Sequence, residues 1–181
     1  MISIKKQSIT GMTTDAIVNA ANEELLAGGG VCGAIFSAAG YRELQDACDK
    51  IGHCPTGSAV ITPGFRLKAK YVIHAVGPVW YGGTRGEKEL LYSAYVSSLK
   101  VARENGCQSI AFPLISAGIY GYPLREAWEV AIRACKEHGE GMEIVFVVLD
   151  DRIMQIGQEI LASLFPERNK HGIREDHILR F

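Results

Sequence analysis

No stretch of this chain is apolar for long enough to span a bilayer. The opening MISIKKQSIT also lacks the long apolar core of a secretory leader. The expectation is a cytoplasmic protein with no membrane partner. Charge of one sign is missing as well: 19 Lys and Arg stand against 20 Asp and Glu, for a formal net charge of -1. The chain as a whole therefore offers no electrostatic footing for a nucleic acid, whose backbone is held by clustered cations. Cysteine is sparse and odd in number. The five, Cys32, Cys48, Cys54, Cys107 and Cys135, are scattered and read as free thiols. CDKIGHC, from Cys48 to Cys54, includes His53, but no second ligand pair stands at the spacing of a zinc finger, so no metal is expected.

What is present is a strand–helix alternation in 181 residues that are 48% hydrophobic, enough for one domain with a sizeable core. ISIKKQ reads as an edge strand. DAIVNAA, SAVITPG, KYVIHAVGP, SIAFPLI and EIVFVVL are short apolar runs rich in β-branched residues, and read as further strands. Between them lie helices. CGAIFSAAG ends at Gly40 and YRELQDACDKIG at Gly52. EKELLYSAYVSSLKVARENG keeps Leu90, Leu91, Ala94, Tyr95, Ser98 and Leu99 on one stripe. PLREAWEVAIRACKEHG ends at Gly139, and RIMQIGQEILASLF follows last. The pattern predicts an α/β fold: a three-layer α/β/α sandwich around a mixed, mostly parallel sheet. Residues 1–165 form the domain. The polar tail 166–181, PERNKHGIREDHILRF, is either a frayed end or a docking segment.

Ligands of open α/β sheets bind beyond the carboxyl ends of the strands. Two glycine-rich loops follow strands here, NEELLAGGGVCG after AIVNAA and SAGIYGYP after SIAFPLI. Each places glycines beside a helix start, where backbone N–H groups are unpaired and the macrodipole is positive. Side by side, such loops would suit a diphosphate; taken singly, each could be an ordinary tight turn. Gly28, Gly30 and Gly33 also match G-x-G-x-x-G, but NEELLA separates them from the strand, and Asp49 sits inside a helix rather than at a strand end. LISAG lacks the first glycine of a nucleophile elbow, so Ser116 reads as a phosphate-loop residue. Of the candidate bases His53, His74 and His138, His74 lies in a strand and reads as a hydrogen-bonded core histidine.

DAIVNAANEELLAGGGVCGAIFSAAG, TGSAVITPG, YVIHAVGP and SIAFPLISAGIYGYP, in that order, resemble a macro domain over roughly residues 1–165. The resemblance implies ADP-ribose or an ADP-ribosylated protein as partner, no cofactor, and a monomer. It also implies the hydrolysis of ADP-ribosyl-protein esters or the deacetylation of O-acetyl-ADP-ribose. By position, Asn22 would face the distal ribose, with Ala20 ahead of it in the ligand-binding set. Gly29, Gly30 and Val31 would line one side of the diphosphate, and Ser116, Ala117, Gly118, Ile119 and Tyr120 the other. Leu149 and Asp150 would flank the adenine. Ser8 stands where the family places an acid against the adenine amino group, and Ile9 beside it would bond through its backbone. Cys32 and Phe36 occupy the positions of the acid and histidine in the hydrolase branch, whose motif reads G-G-G-V-D-G-A-I-H. That leaves a substrate-assisted mechanism, in which a phosphate oxygen activates a water and Asn22 orients the ribose, or a site that only binds. Cys32 would be either a nucleophile or a small residue filling space near the ribose. Trp80 and Tyr81, beside Gly82 and Gly83, would either cover the pocket or form a surface turn.

Overall fold

The computed structural model describes residues 1–166. Six strands form one sheet: β1 (Ile2–Lys6), β2 (Ala16–Ala20), β3 (Ala59–Pro63), β4 (Tyr71–Ala75), β5 (Ser109–Phe112) and β6 (Glu143–Val148). Their order is β1-β6-β5-β2-β4-β3, with every neighbour parallel except the antiparallel β3–β4 pair. The expected mixed, mostly parallel sheet is what forms. The central strands β6, β5 and β2 are its most continuously apolar segments, as burial on both faces requires. The margins carry what an edge tolerates: exposed Lys5 and Lys6 on β1, and Pro63, which needs no ladder partner, on β3.

Side chains alternate between two cores. Val18, Ile73, Ile110, Phe112, Ile144 and Phe146 point to one face. There α3 (Glu87–Glu104), α4 (Leu124–His138) and α5 (Asp151–Leu164) cover them. Phe112 stacks on Phe146 at 5.6 Å, and Trp128 meets Phe146 edge-on at 5.4 Å. Gly157 of α5 makes this possible, because a Cβ there would lie 2.6 Å from the Trp128 indole. Ile17, Val72, Ala111, Val145 and Val147 point to the other face, under α1 (Gly30–Ala39) and α2 (Tyr41–Ile51). The break between α1 and α2 falls at Gly40, whose φ of 111° ends one helix and starts the next. Of the tail at 166–181, all but Pro166 lies outside the described residues.

The parallel strands bring their carboxyl ends to one end of the sheet. The loops after β1, β6, β5, β2 and β4 therefore lie side by side, in the order in which the strands pair. The β5 and β2 exits, the two glycine-rich loops, are direct neighbours.

Candidate functional site

The first loop leaves β2 as a tightly tied segment. The Asn22 side-chain amide grips Leu26 twice: Nδ2 donates to the Leu26 carbonyl and Oδ1 accepts from the Leu26 N–H, each at 2.9 Å. Leu25 is fully buried although its φ is +59°, a conformation that persists in a non-glycine residue only when its surroundings impose it. Gln45 of α2 does part of this, donating to the Leu25 carbonyl at 3.0 Å and accepting from the Ala27 N–H at 2.9 Å. Glu23 accepts from the Thr56 hydroxyl at 2.8 Å and the Thr56 N–H at 3.0 Å, and these bonds hold its carboxyl below the usual range.

The loop then opens into α1 through Gly28, Gly29 and Gly30. A Cβ on any of the three would meet nothing, and Gly30 has φ +57°. Gly33 differs: a Cβ there would lie 2.5 Å from the Gly28 carbonyl, so this glycine serves the close turn itself. Gly29 caps α1 with no side-chain bond, and Gly33 N–H to Gly29 O, at 3.2 Å, is the first bond of the turn. The amides of Gly30, Val31 and Cys32 precede it and have no carbonyl within the helix to meet. Val31 is exposed, and Cys32 is half-buried with Sγ 4.0 Å from the Leu26 carbonyl.

The second loop is sutured from beneath. The buried Tyr95 hydroxyl of α3 accepts from the Ile115 N–H at 2.9 Å and donates to the Pro113 carbonyl at 3.3 Å. Ser116 is a second non-glycine residue at positive φ, +68°; its hydroxyl is turned inward onto the Pro78 carbonyl at 2.7 Å. Gly77 leaves the room for this, since a Cβ there would come within 2.3 Å of the Ser116 Oγ. With Ser116 anchored and Tyr122 N–H bonded back to its carbonyl at 2.9 Å, Ala117, Gly118, Ile119 and Tyr120 bulge outward. Gly118 and Ile119 are exposed, Ile119 almost completely. The Tyr120 phenol is pushed up, first by burial and then by Glu23, Glu24 and Cys32.

Towards β1, Gln7 N–H donates to the Val148 carbonyl at 3.1 Å, which joins the exits of β1 and β6. Ser8 caps a single 3-10 turn, Ile9–Gly11, an element that the sequence patterns missed. Leu149 is well exposed, and Asp150 caps α5 through the Arg152 and Ile153 amides. Ala20 is half-buried at the end of β2.

Phe36 is buried in the core beneath α1, 6.3 Å from the His74 ring. His74 is the core histidine expected: wholly buried, it contacts Thr62 Oγ1 at 3.0 Å and Asn19 Nδ2 at 3.2 Å, and burial pushes its pKa down to about 4. The Trp80 backbone N–H donates to the Tyr120 carbonyl at 2.8 Å and the Trp80 ring lies 4.6 Å from the Tyr122 ring, so Trp80 braces the second loop from behind, while Tyr81 is exposed. Glu87 gathers this turn, accepting from the amides of Tyr81, Gly83 and Arg85 at 2.8, 3.1 and 2.7 Å. Burial opposes the charge on Glu87, but the amide bonds outweigh it and bring the pKa to about 2. Gln45, Leu25, Gly77 and Glu87 escaped the sequence reading; only Glu87, an acid in a helix's first turn after a glycine pair, left a signal there. Among the described residues no helix is long and apolar enough to cross a membrane, and no three His, Cys, Asp or Glu side chains are grouped to hold a metal.

The family model for the macro domain matches residues 18–131. A macro domain-containing protein of Chlorobaculum tepidum is 52% identical over 167 residues, covering 90% of this chain and 96% of the relative. A Citrobacter rodentium protein named O-acetyl-ADP-ribose deacetylase is 49% identical over 163 residues, 86% of this chain and 92% of its own. Among solved structures, the Oceanobacillus iheyensis macrodomain with ADP superposes with a TM-score of 0.85 at 40% identity, covering 91% of each chain. The Trypanosoma brucei macrodomain in complex with ADP-ribose does so with 0.79 at 36% identity, over 87% of this chain and 68% of the other.

Proposed function

The chain belongs to the macro domain family, and from that premise we propose that it binds ADP-ribose between its two glycine-rich loops and slowly hydrolyses ADP-ribosyl esters or O-acetyl-ADP-ribose. The functional unit is residues 1–165, acting as a cytoplasmic monomer on the nucleotide or on a protein that carries it. The observation that carries this reading is the unobstructed, glycine-rich main chain of two neighbouring loops. A Cβ built at Gly28, Gly29, Gly30 or Gly118 would meet nothing within 4 Å beyond its own chain neighbours and helix backbone, while the side chains of Asn22, Glu23 and Ser116 are tied elsewhere.

The diphosphate lies between the first-turn amides of α1 (Gly29, Gly30, Val31) and the outward bulge from Ser116 to Tyr120. Backbone donors held in place in advance cost no reorganisation when an anion arrives. The distal ribose rests against Ala20 and Asn22. Each atom of the Asn22 amide keeps one further hydrogen-bonding site beyond Leu26, so it orients a sugar hydroxyl without releasing the loop. The base lies over Leu149, with Ser8, Ile9 and Asp150 at its edge.

In the hydrolytic step a water held between the α-phosphate and the distal ribose attacks the ester. A phosphate oxygen takes its proton and returns it to the leaving oxygen. Cys32 borders that water as a small neutral group. The rate is low because no carboxylate assists; such help is typically worth ~10²–10⁴-fold. A relative named O-acetyl-ADP-ribose deacetylase at 49% identity supports chemistry over binding alone. The second reading, a non-catalytic ADP-ribose reader, is favoured by Cys32 and by Phe36, which is buried and supports no polar group. The deciding experiment is a turnover assay on a protein auto-modified at acidic residues. Many labels released per enzyme molecule support hydrolysis; stoichiometric release, or none, leaves the reader.

A further inference from the structure

A cavity of about 290 Å³ lies between α3 and α4, and shares no residue with the proposed nucleotide cleft. Three aromatic rings line it. Trp80 and Tyr122 form a corner, their centroids 4.6 Å apart and their planes at 56°. Tyr92 of α3 is the third, fixed by a hydrogen bond from its hydroxyl to the Glu137 carboxylate. Trp80 and Tyr92 are half-buried and keep part of each ring accessible, while Tyr122 is buried behind them.

Carboxylates surround these rings. Glu126 and Glu129, three apart on α4, share one face of that helix and line the cavity. Both are exposed, and among the described residues neither forms a salt bridge or a side-chain hydrogen bond. Burial raises the Tyr122 phenol first, and Glu126, Glu87 and Glu89 then raise it further. Two cations line the cavity as well. Arg133 acts on the Tyr92 phenol, and Lys88 lies between Glu87 and Glu89 in sequence. Against these two stand Glu87, Glu89, Glu126, Glu129 and Glu137, so the space is aromatic and net negative. That combination attracts a cation, because a ring face is the negative part of its quadrupole and carboxylates add full charge. A guanidinium uses both: it stacks flat on a ring and offers paired N–H groups to carboxylates, where an ammonium is only a point charge.

We propose that this cavity holds an arginine side chain presented by a polypeptide, with the guanidinium against Trp80 and hydrogen-bonded to Glu126 and Glu129. The apolar stem of that side chain lies along Val130 and Tyr92. An arginine within a chain fits better than the free amino acid, whose carboxylate would enter a negative field. The partner is thus a protein with an exposed arginine. The backbone N–H groups of Trp80 and Tyr122 bond to the Tyr120 and Ser116 carbonyls at 2.8 and 2.9 Å, so the docked segment runs beside the second loop. The inference needs no nucleotide in the cleft, and stands or falls separately from that reading.

The test is a nuclear magnetic resonance titration that follows the indole N–H signals of Trp80 and Trp128, the chain's two tryptophans. The Trp128 indole donates to the Ile153 carbonyl at 3.0 Å inside the fold and serves as the reference; Trp80→Phe assigns the other signal. The probe is a Gly-Arg-Gly peptide, acetylated and amidated at its ends. The Trp80 signal should shift saturably with a Kd below about 10 mM, while the Trp128 signal stays in place. The same peptide with citrulline, which keeps the shape of arginine without its charge, should bind at least about tenfold more weakly. The lysine peptide and free arginine should each bind at least about threefold more weakly. Glu126→Gln combined with Glu129→Gln, at two exposed positions, should weaken the arginine peptide at least about fivefold. The absence of a saturable shift at Trp80 overturns the inference. So does equal binding of the citrulline peptide, the lysine peptide or free arginine, or an unaltered Kd in the double variant.

Discussion

In the proposed hydrolysis, Cys32 is the residue on which the chemistry turns. It sits in the first turn of α1, with Sγ 4.0 Å from the Leu26 carbonyl. Restoring a carboxylate there supplies the missing acid–base assistance, so Cys32→Asp should raise the turnover number at least about tenfold with little change in KM. A multiple-turnover assay on the auto-modified substrate checks this, and an unchanged rate would show that the acid does not limit the reaction. In the proposed site Asn22 has two duties, one to the sugar and one to its own loop. Asn22→Ala should lower kcat more than affinity through loss of ribose orientation, and should cost roughly 1–2 kcal/mol of stability through loss of the double grip on Leu26. Calorimetry, kinetics and a denaturant titration on the one variant separate the two. Gly77 acts at a distance. A methyl group 2.3 Å from the Ser116 Oγ must displace the second loop, so Gly77→Ala should weaken ADP-ribose binding at least about tenfold by calorimetry.

Elements contribute through what ties them down, and two of these ties titrate. His74, inside β4, is held neutral with a pKa of about 4, against 6.5 in an unfolded chain. Below pH 6.5 the unfolded state takes up a proton that the fold refuses, so stability falls from pH 6.5 to about 4, by on the order of 3 kcal/mol. Glu87, at the start of α3, has its pKa lowered to about 2 from 4.5. Its contribution is complete above pH 4.5 and is lost as pH drops towards 2. Urea unfolding at a series of pH values should show two successive descents. His74→Gln flattens the upper and Glu87→Gln the lower; an unaltered upper limb in His74→Gln would contradict the assignment. The sheet's strands and helices α1 to α5 were legible in the sequence because period and end signals are local. The ties were not. Glu87 folds back on a loop of ordinary composition, and Gln45 reaches from mid-helix to Leu25, twenty residues away in sequence. The 3-10 turn at Ile9–Gly11 is too short to leave a period, and only its cap, Ser8, marks it.

At the scale of the molecule, the sheet order puts the β5 and β2 exits side by side, and this decides what the protein can hold. Glycines after two apolar runs announced two open loops; that they are neighbours follows only from strand order, which depends on contacts far apart in sequence. Each loop is kept open by a residue at unfavourable φ, Leu25 in one and Ser116 in the other, with the cost met by packing beneath. In the proposed reading the cleft holds its anion through main-chain atoms, so side-chain substitutions matter chiefly through what they block or displace. The measurement that bears most directly on this is a paired calorimetric titration of ADP-ribose into the wild type and into Gly30→Glu. That substitution puts bulk and negative charge into the space where a Cβ at Gly30 now meets nothing. The wild type should bind with one-to-one stoichiometry, and Gly30→Glu should show no measurable heat while keeping its fold by circular dichroism. Equal affinity in the folded variant would place the nucleotide somewhere other than between these two loops.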